Sequence, residues 1–312
     1  MRAAPVGIVG LGYVLGEHSL PVDGIDGRME VMREYRMPDR QALWGWDRFR
    51  RTERSRADLA AESAAGTLAR GGIDPGEVDA LIVCCGDGLN YHAQNLLTGE
   101  LSKRLGLNCE FVSWVGGAGC ASLFSAARLA RSLVIADAFR NVLVVGVDKV
   151  DDEAIRFQRY GVFSDSACSF VIRGEGPVDF TVAGIAVASS LSSLNGAGQD
   201  LAQKCVLIQS VFERLAPVKG NFPYAGSVFF GSNVFLPIQD LERSVMPVDG
   251  LVHERGNVAS YGHCAGADPF INLVDFYARG DNDGVTRSVL GSSAHGHFGV
   301  MLLERRRTEA VS

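Results

Sequence analysis

The sequence predicts an α/β fold in which helices cover a largely parallel sheet. Apolar runs of strand length alternate along the chain with segments of helical periodicity, and this alternation is typical of parallel sheets. The second half repeats the order of the first, a small-residue turn, an apolar helix and a strand, which indicates an internal duplication. With 312 residues, 47% of them apolar, the chain is long enough for two fused halves, which we place at 1–175 and 176–312.

The first half begins with the apolar strand VGIVGLGYVL. Helical patterns follow at 55–73 and 96–107, and a long apolar helix follows Cys120. Apolar runs bounded by turn residues predict the other strands of this half and the first strand of the next. These runs cover 78–88, 109–117, 141–150, 168–176 and 178–190.

The second half shows the same plan with a weaker pattern. AGSVFFGSN predicts a strand, and the segment 258–280 predicts one continuous buried helix. The closing segment 284–306 predicts two strands around a glycine-containing turn. Two segments, 151–162 and 187–222, interrupt the plan, and we expect their loops to build a substrate pocket.

Composition argues against several classes of protein. The net charge of −6 comes with no basic patch, so we expect no nucleic-acid partner. The sequence contains no apolar run of eighteen residues, the length needed to span a membrane, and the N-terminus lacks the pattern of a signal peptide. Seven cysteines without CxxC pairs indicate a reducing cytoplasm, no disulfide framework and no metal site. No pyridoxal or nicotinamide motif is present, so we expect no permanently bound cofactor.

Cys120 stands at the junction between a glycine-rich turn and an apolar helix, in the stretch WVGGAGCASLFSAARLA. Such a turn leaves backbone N–H groups free, and a helix N-terminus favours negative charge. The junction therefore suits a thiolate, and its N–H groups could also stabilise an oxyanion beside the sulfur. The alternative is a small core residue, because unmodified cysteines are frequently buried and inert. We interpret Cys120 as a nucleophile.

Four stretches, in this order, resemble motifs of the thiolase superfamily, and specifically of ketoacyl synthase III and its acyltransferase relatives. GAGCASLFSA is similar to the nucleophile turn, so the resemblance makes Cys120 the acyl-accepting cysteine. YGVFSDSACSFVI resembles a Phe-Gly-Asp-Gly-Ala segment in which Ser164 and Ser166 replace the glycines. RGNVAS resembles the Gly-Asn-Thr-Ser turn, so Asn257 matches the catalytic asparagine. GSSAHGHFG occupies the place of the closing glycine-rich turn.

The resemblance carries expectations about architecture and about the oxyanion hole. It implies a thiolase-like fold, in which two pseudo-duplicated βαβαβ halves form a five-layered αβαβα arrangement. It implies that backbone N–H groups of Cys120, Ser293 and Ala294 surround the oxyanion. It also implies a homodimer, whose contact we place near the strand at 141–147.

The resemblance further predicts a catalytic histidine, and the matching position lacks it. Aligning Asn233 with the last residue of the family's His-Gln-Ala-Asn motif places Phe230 where the histidine belongs. Phenylalanine can neither donate a hydrogen bond nor carry charge, so we interpret Phe230 as a core or pocket-wall residue. Losing one preorganised donor costs about 100- to 1,000-fold in rate. In this family the loss affects decarboxylation of a malonyl unit more than simple acyl transfer.

Another histidine could act as the base that the chain lacks at Phe230. His295 and His297 flank the predicted oxyanion turn, and among the six histidines they are the candidates for a base that reaches Cys120 from a different direction. The alternative is that both only satisfy backbone groups in a tight turn. The remaining histidines are His18 and His92 in predicted loops, His253 before the asparagine turn, and His263 on the predicted helix after it.

The stretch LWGWDRFRRTERSR combines two tryptophans with five arginines. An indole can stack on adenine and a guanidinium can pair with phosphates, and the family uses such residues near this point for coenzyme A or carrier phosphopantetheine. The alternative is an exposed arginine-rich helix with two anchoring tryptophans. The candidate contacts are Trp44, Trp46, Arg50 and Arg51, together with Arg156 or Arg159.

These observations together predict an acyltransferase of ketoacyl synthase III type. It would take an acyl group from acyl-CoA or acyl carrier protein onto Cys120 and pass it to a small-molecule or carrier-bound acceptor. We expect a role in specialised-metabolite assembly of polyketide or fatty-acid type. One alternative is a decarboxylative 3-oxoacyl synthase with a relocated histidine, and another is a partner subunit of a ketosynthase with little activity of its own.

Overall fold

The computed structural model describes residues 6–190, 201–219, 222–280, 282 and 284–306. The strands in chain order are β1 (Gly7–Leu15), β2 (His18–Pro21), β3 (Arg48–Arg51), β4 (Ala80–Cys84), β5 (Phe111–Val115), β6 (Asn141–Asp148), β7 (Phe157–Gln158), β8 (Gly161–Val162), β9 (Ser166–Arg173), β10 (Phe180–Ser189), β11 (Val228–Phe230), β12 (Val252–Glu254), β13 (Arg287–Ala294) and β14 (His297–Arg305). The helices are α1 (Arg28–Glu34), α2 (Gln41–Trp44), α3 (Arg56–Gly71), α4 (Tyr91–Leu105), α5 (Ser122–Ile135), α6 (Leu201–Lys219), α7 (Leu236–Ser244), α8 (Val258–Tyr261) and α9 (Asp268–Ala278).

Within these residues, ten strands form one sheet in the order β12-β11-β13-β14-β10-β1-β9-β6-β4-β5. Two five-stranded halves meet where Gly7 and Ile8 of β1 pair with β10. In each half the three outer strands are parallel, and the two inner strands run antiparallel to their neighbours. This matched order confirms the internal duplication. The sheet is mixed, however, and not largely parallel, because β13 and β14 are joined by a short hairpin, which requires antiparallel strands.

The helices lie between and outside the two halves, so the predicted five-layered αβαβα arrangement is confirmed. Helices α5 and α9 pack between the halves, against the inner face of each. Helices α3 and α4 cover the outer face of the first half, and α6 covers the outer face of the second. A separate apolar cluster joins the N-terminal segment to the start of α7 through Trp46, Phe49, Phe157 and Phe235.

Side-chain caps set two of the helix borders. Helix α3 begins behind Ser55, whose hydroxyl forms a capping box with Asp58. Helix α4 begins at Tyr91, before the predicted border at 96, because the side chain of Asn90 accepts a hydrogen bond of 2.9 Å from the N–H of Ala93. His92, which the sequence places in a loop, therefore lies in the first turn of a helix.

The segment predicted as one helix at 258–280 forms two helices instead. Gly262 ends α8 with φ 67° and ψ −157°, a backbone conformation that glycine adopts readily. A 3₁₀ turn follows at Ala265–Ala267, and α9 begins at Asp268 with Pro269 in its first turn. Proline is favoured there because the missing N–H would have no helical partner. Residues 262–264 therefore lie outside any helix.

Two further expectations need correction. The excursion at 187–222 is mainly helical, since α6 spans Leu201–Lys219, while residues 191–200 lie outside the described residues. The strand at 141–147 is β6, which lies between β4 and β9 and so has no free edge for a second chain. On that side the sheet ends at β5. None of the helices in the described ranges is long and apolar enough to cross a membrane.

Phe270 provides a test of how the halves are joined. It lies on α9, is 0% exposed, and its ring is 5.4 Å from that of Phe124 and 5.3 Å from that of Phe170, both in the first half. Truncation leaves a cavity, so Phe270→Ala should lower the free energy of unfolding by about 3–5 kcal/mol. Urea denaturation measures it. The exposed Val206→Ala on α6 is the control, and equal effects of both variants would contradict this packing.

Candidate active site

Cys120 lies in the 3₁₀ turn Gly119–Ala121, which leads directly into α5. Gly119 has φ 52°, in the left-handed region that glycine adopts without strain. The turn therefore presents Cys120 at the entrance to a buried helix, as the sequence predicted. The cysteine is half-buried, unlike the fully buried Ala121 that follows it.

His263 is the histidine that the structure places beside Cys120. Its Nε2 lies 3.3 Å from the Cys120 Sγ. Its Nδ1 lies 2.5 Å from Oδ2 of Asp268, and both His263 and Asp268 are buried. The three side chains form a nucleophile, a base and an orienting carboxylate in series, which is the arrangement that activates a nucleophile for covalent catalysis.

Asp268 is held in place by backbone donors. Its Oδ1 accepts a hydrogen bond of 2.6 Å from the N–H of Cys264, and its Oδ2 accepts one of 2.7 Å from the N–H of Asn233. It is the first residue of α9, where the helix dipole favours a negative charge. These contacts fix the carboxylate on one side of the imidazole, so the ring presents Nε2 to the sulfur.

The surroundings of His263 favour the charged imidazolium. Burial by itself opposes the charge, but the carboxylate of Asp268 and the sulfur of Cys120 together raise the pKa of His263 well above its ordinary value near 6.5. An imidazolium can donate one hydrogen bond to the carboxylate and one to the sulfur at the same time. A positive charge at this distance stabilises a thiolate.

Aromatic rings line the same region. The Phe163 ring is 5.0 Å from that of His263, and the Tyr160 ring is 6.3 Å from it. Burial and the neighbouring Cys120 sulfur raise the pKa of Tyr160 to about 12. Its hydroxyl therefore stays neutral at physiological pH, next to the nucleophile.

Asn257, which the resemblance matches to the catalytic asparagine, is linked to Asp268 through Asn233, whose Oδ1 accepts from the Asn257 N–H at 3.1 Å. The Asn257 Nδ2 donates to Oδ1 of Asn272 at 3.1 Å and to Oδ2 of Asp275 at 2.9 Å. Tyr13 donates to the other oxygen of Asp275. Within the described part of the chain no hydrogen bond joins Asn257 to Cys120. The geometry thus gives Asn257 a role in holding α8 against α9.

Phe230 and His297 also have partners other than the sulfur. Phe230 is 0% exposed and packs edge to face on Phe276 at 5.2 Å. His297 shares a hydrogen bond of 2.8 Å with Ser189, while burial and neighbouring His295 lower the pKa of His297. The position of His297 differs from the expectation that it approaches Cys120, because β14 begins at His297 and pairs with β10 at Ser189. His295 lies in the exposed turn before β14, and its role stays a prediction.

The closing turn itself does approach the nucleophile loop. A Cβ atom at Gly119 would lie 2.7 Å from the Cβ of Ala294. The hydroxyl of Ser293 donates to Oε1 of the buried Glu242 at 2.6 Å, which ties this turn to α7. The Ala294 side chain therefore packs against the residue before Cys120, while a role of the Ser293 and Ala294 N–H groups in an oxyanion hole stays a prediction.

The tryptophans and arginines predicted to hold the donor divide into internal and exposed groups. Trp46 is 2% exposed and stacks on Trp44 at 6.0 Å, so its faces are covered. The Trp44 Nε1 donates to the carbonyl of Pro38. The short strand β3 carries Arg50 and Arg51 in place of the predicted helix.

Each arginine of the set has an aromatic or acidic neighbour. The Arg50 guanidinium lies over the ring of Tyr261, Arg51 pairs with Glu53 and Glu153, and Arg156 is fully buried between Glu153 and Asp165. Arg159 is exposed next to Tyr160 and lies over the ring of Tyr35. Of these cations, Arg159 is the exposed one that has no acidic partner in the part of the chain that the structure describes, and it precedes Tyr160, which lies beside His263. No cluster of three metal-binding side chains occurs among the described residues.

The sequence does not predict the contact between His263 and Cys120, because the pattern at 258–280 predicts one continuous helix. Two signals in the sequence pointed to the break. Gly262 precedes the histidine, and Asp268–Pro269 is a typical helix start. Together they indicate a non-helical stretch between two short helices, but they do not reveal that it packs against Cys120.

Comparisons with solved structures give the fold a context. OleA from Xanthomonas campestris with bound cerulenin aligns at a TM-score of 0.78 with 16% identity, over 97% of this chain and 100% of that one. FabH, a 3-oxoacyl-(acyl carrier protein) synthase III from Xanthomonas oryzae, aligns at 0.78 with 17% identity, over 97% and 100%. ChlB3, an acyltransferase, aligns at 0.77 with 16% identity, over 96% and 98%. The chain has the thiolase-like fold of these proteins.

Sequence similarity is more limited. A β-ketoacyl-[acyl-carrier-protein] synthase III from Campylobacter concisus is 26% identical over 94 residues, which are 30% of this chain and 28% of that protein. The match therefore covers less than a third of the relative's length. No protein-family model matches the chain. The resemblance to ketoacyl synthase III is thus confirmed at the level of the fold.

The Cys120–His263 contact predicts a particular pH dependence of thiol alkylation. An imidazolium is kept at low pH and lost as the pH rises through the raised pKa of His263. We expect His263→Ala to slow iodoacetamide alkylation of Cys120 at pH 6 by about 10-fold or more. At pH 9.5 the difference should shrink, because an unassisted thiol ionises near pH 8.5.

Peptide mapping by mass spectrometry separates Cys120 from the other cysteines. His253→Ala is the matched control, because His253 lies on β12 with its ring 5.0 Å from that of Phe229. Superimposable pH profiles for His263→Ala and the unmodified protein would show that the contact does not affect the sulfur.

Proposed function

We propose that the protein is an acyltransferase of ketoacyl synthase III type. It takes an acyl group from acyl-CoA or an acyl carrier protein onto Cys120 and transfers it to oxygen or nitrogen of a second substrate. The observation that carries this proposal is the series Cys120–His263–Asp268, with Nε2 at 3.3 Å from the sulfur and Nδ1 at 2.5 Å from the carboxylate. The likeness to OleA, FabH and ChlB3 supports an acyl-transferring or condensing enzyme.

The first half-reaction uses the ion pair. The Cys120 thiolate attacks the carbonyl carbon of the donor thioester, and backbone N–H groups around Cys120 and Ala294 stabilise the oxyanion. When the intermediate collapses, the carbon–sulfur bond to the donor breaks. The His263 imidazolium gives its Nε2 proton to the departing donor thiolate, so the products are an acyl-cysteine, a neutral imidazole and a free thiol.

The second half-reaction uses the neutral imidazole as a base. As the acceptor hydroxyl or amine attacks the acyl-cysteine, Nε2 of His263 takes its proton. The carboxylate of Asp268 stabilises the imidazolium that forms. Cys120 departs as a thiolate beside that cation, which restores the starting ion pair. A base oriented by a carboxylate matches this step, because the step needs a proton acceptor and no enolate.

The second candidate is a decarboxylative 3-oxoacyl synthase, favoured by the likeness to FabH. It would need donors for an enolate oxygen. His263 can offer one N–H, while Asn257 donates to Asn272 and Asp275 instead. One donor in place of two supports this reaction less well, by about 100- to 1,000-fold in rate. A partner subunit with little activity is disfavoured, because such a role does not require a triad.

Several further features belong to the same proposal. The donor's phosphates would meet Arg159, and its pantetheine thioester would pass Tyr160 to reach Cys120. A homodimer would form through the free edge of β5, where Val112 is 47% exposed. We place the reaction in the cytoplasm, in specialised-metabolite assembly of polyketide or fatty-acid type.

Acylation of Cys120 is the direct test of the first half-reaction. Incubation with a panel of acyl-CoA thioesters, and with acyl carrier protein bearing the same groups, should give a stable adduct by intact-protein mass spectrometry. The adduct should disappear in Cys120→Ala, because the sulfur is the acceptor. Failure of every CoA and carrier donor to acylate the protein would contradict the proposal.

His263 distinguishes acyl transfer from decarboxylation. We expect His263→Ala to lower single-turnover transfer from acyl-Cys120 to an alcohol or amine acceptor by about 100-fold or more, since the base is lost. His253→Ala should leave that rate within about twofold. Malonyl thioester should release little carbon dioxide from the unmodified protein. Efficient carbon dioxide release would favour the synthase instead, and slower turnover in His297→Ala would favour a base from the closing turn.

A further inference from the structure

His263 needs a precise position although it lies in no helix, and neighbouring backbone provides part of that position. Its N–H donates to the carbonyl of Val162 at 2.7 Å, and its own carbonyl accepts from the N–H of Ser164 at 2.9 Å. The chain at Phe163 thus pairs with His263 as an isolated parallel bridge. These two hydrogen bonds fix the backbone of His263 against residues 162–164, but they do not involve the residues that precede the histidine.

The hydroxyl of Ser164 holds those residues. It donates to the carbonyl of Tyr261, two positions before the histidine, and it accepts a hydrogen bond of 2.8 Å from the N–H of Arg50 on β3. Ser164 is 1% exposed, so neither bond competes with water. A Cβ atom on Gly262 would lie 3.1 Å from this oxygen and 2.7 Å from the Val162 carbonyl, so the loop is closely packed against it.

The residue after Ser164 anchors the same segment from the other side. Asp165 is 0% exposed. Its carboxylate accepts from the N–H groups of Thr52 and Val150, at 2.8 and 2.9 Å, and from Arg156 at 3.2 Å. Ser164 is therefore held in place on both sides, and its bond to the Tyr261 carbonyl adds a restraint on the segment before His263.

We propose that Ser164 is a positioning residue that sets the distance between His263 and Cys120. Ser164 stands where the Phe-Gly-Asp-Gly-Ala motif has a glycine, which has no hydroxyl to offer. The serine thus compensates for the missing histidine at Phe230, because it steadies the loop that supplies another. This inference rests on the proposed acyl-transfer role of the Cys120–His263 pair.

Ser164→Ala removes both bonds with little change in volume, and Ser166→Ala is the matched control. Ser166 replaces the second glycine of the same motif and is equally buried, but its hydroxyl faces the Cys264 thiol and makes no hydrogen bond to the backbone of residues 261–263. We expect Ser164→Ala to be alkylated at Cys120 more slowly than the unmodified protein at pH 6, with a smaller difference at pH 9.5. Its pH profile should thus shift towards that of His263→Ala. Transfer from acyl-Cys120 should fall by about 10- to 100-fold, the usual effect of misplacing a catalytic group. Ser166→Ala should match the unmodified protein in both assays.

The alkylation profile separates this inference from the proposed function, because it needs no acyl donor. A folded Ser164→Ala protein with an unmodified profile and an unmodified transfer rate would overturn the positioning role. If Ser164→Ala shifts the alkylation profile but the unmodified protein accepts no acyl group, the proposed function is wrong and the positioning role is retained. If circular dichroism shows that Ser164→Ala does not fold, Gly262→Ala provides the test instead, because its added Cβ displaces the same loop. An unshifted alkylation profile in Gly262→Ala would then overturn the inference.

Discussion

The contact between the Cys120 sulfur and the His263 imidazole depends on a buried carboxylate. An imidazole in an apolar environment loses its charge unless an anion compensates for the lost hydration. Asp268 supplies that anion at 2.5 Å, and backbone N–H groups of Cys264 and Asn233 hold its oxygens. The cation can therefore persist beside the sulfur, and the chemistry that we propose follows from this one charge arrangement.

The fold brings the three groups together from separate parts of the chain. Cys120 enters the middle layer at the start of α5, and Asp268 enters it at the start of α9. The two helices occupy equivalent places in the duplicated halves, and both pack between the two halves of the sheet. Their N-termini meet because Gly266 allows close approach, since a Cβ there would lie 2.7 Å from the Cys120 carbonyl oxygen. The internal duplication is thus what places nucleophile and carboxylate face to face.

The structure shows what the segment around Phe230 does in place of carrying a histidine. Phe230 is a core residue of β11, and the segment that follows it supplies the Asn233 N–H to Asp268. That segment supports the carboxylate and no longer contacts the sulfur directly. The imidazole beside the sulfur comes from the loop between α8 and α9 instead. An imidazole oriented by a carboxylate is suited to deprotonating an acceptor, which is the role that we propose for His263.

The sequence by itself determined the α/β fold, the duplication and the position of Cys120 before a buried helix, because alternating apolar runs and a glycine turn before a helix are local patterns. Local signals also existed for the break at Gly262 and for the start of α9 at Asp268–Pro269. Only the tertiary structure decided that His263 meets Cys120, that Asn257 turns to Asp275, and that His297 turns to Ser189. Each of these depends on contacts between residues more than fifteen positions apart in the chain, and for such contacts neither residue type nor spacing specifies the partner.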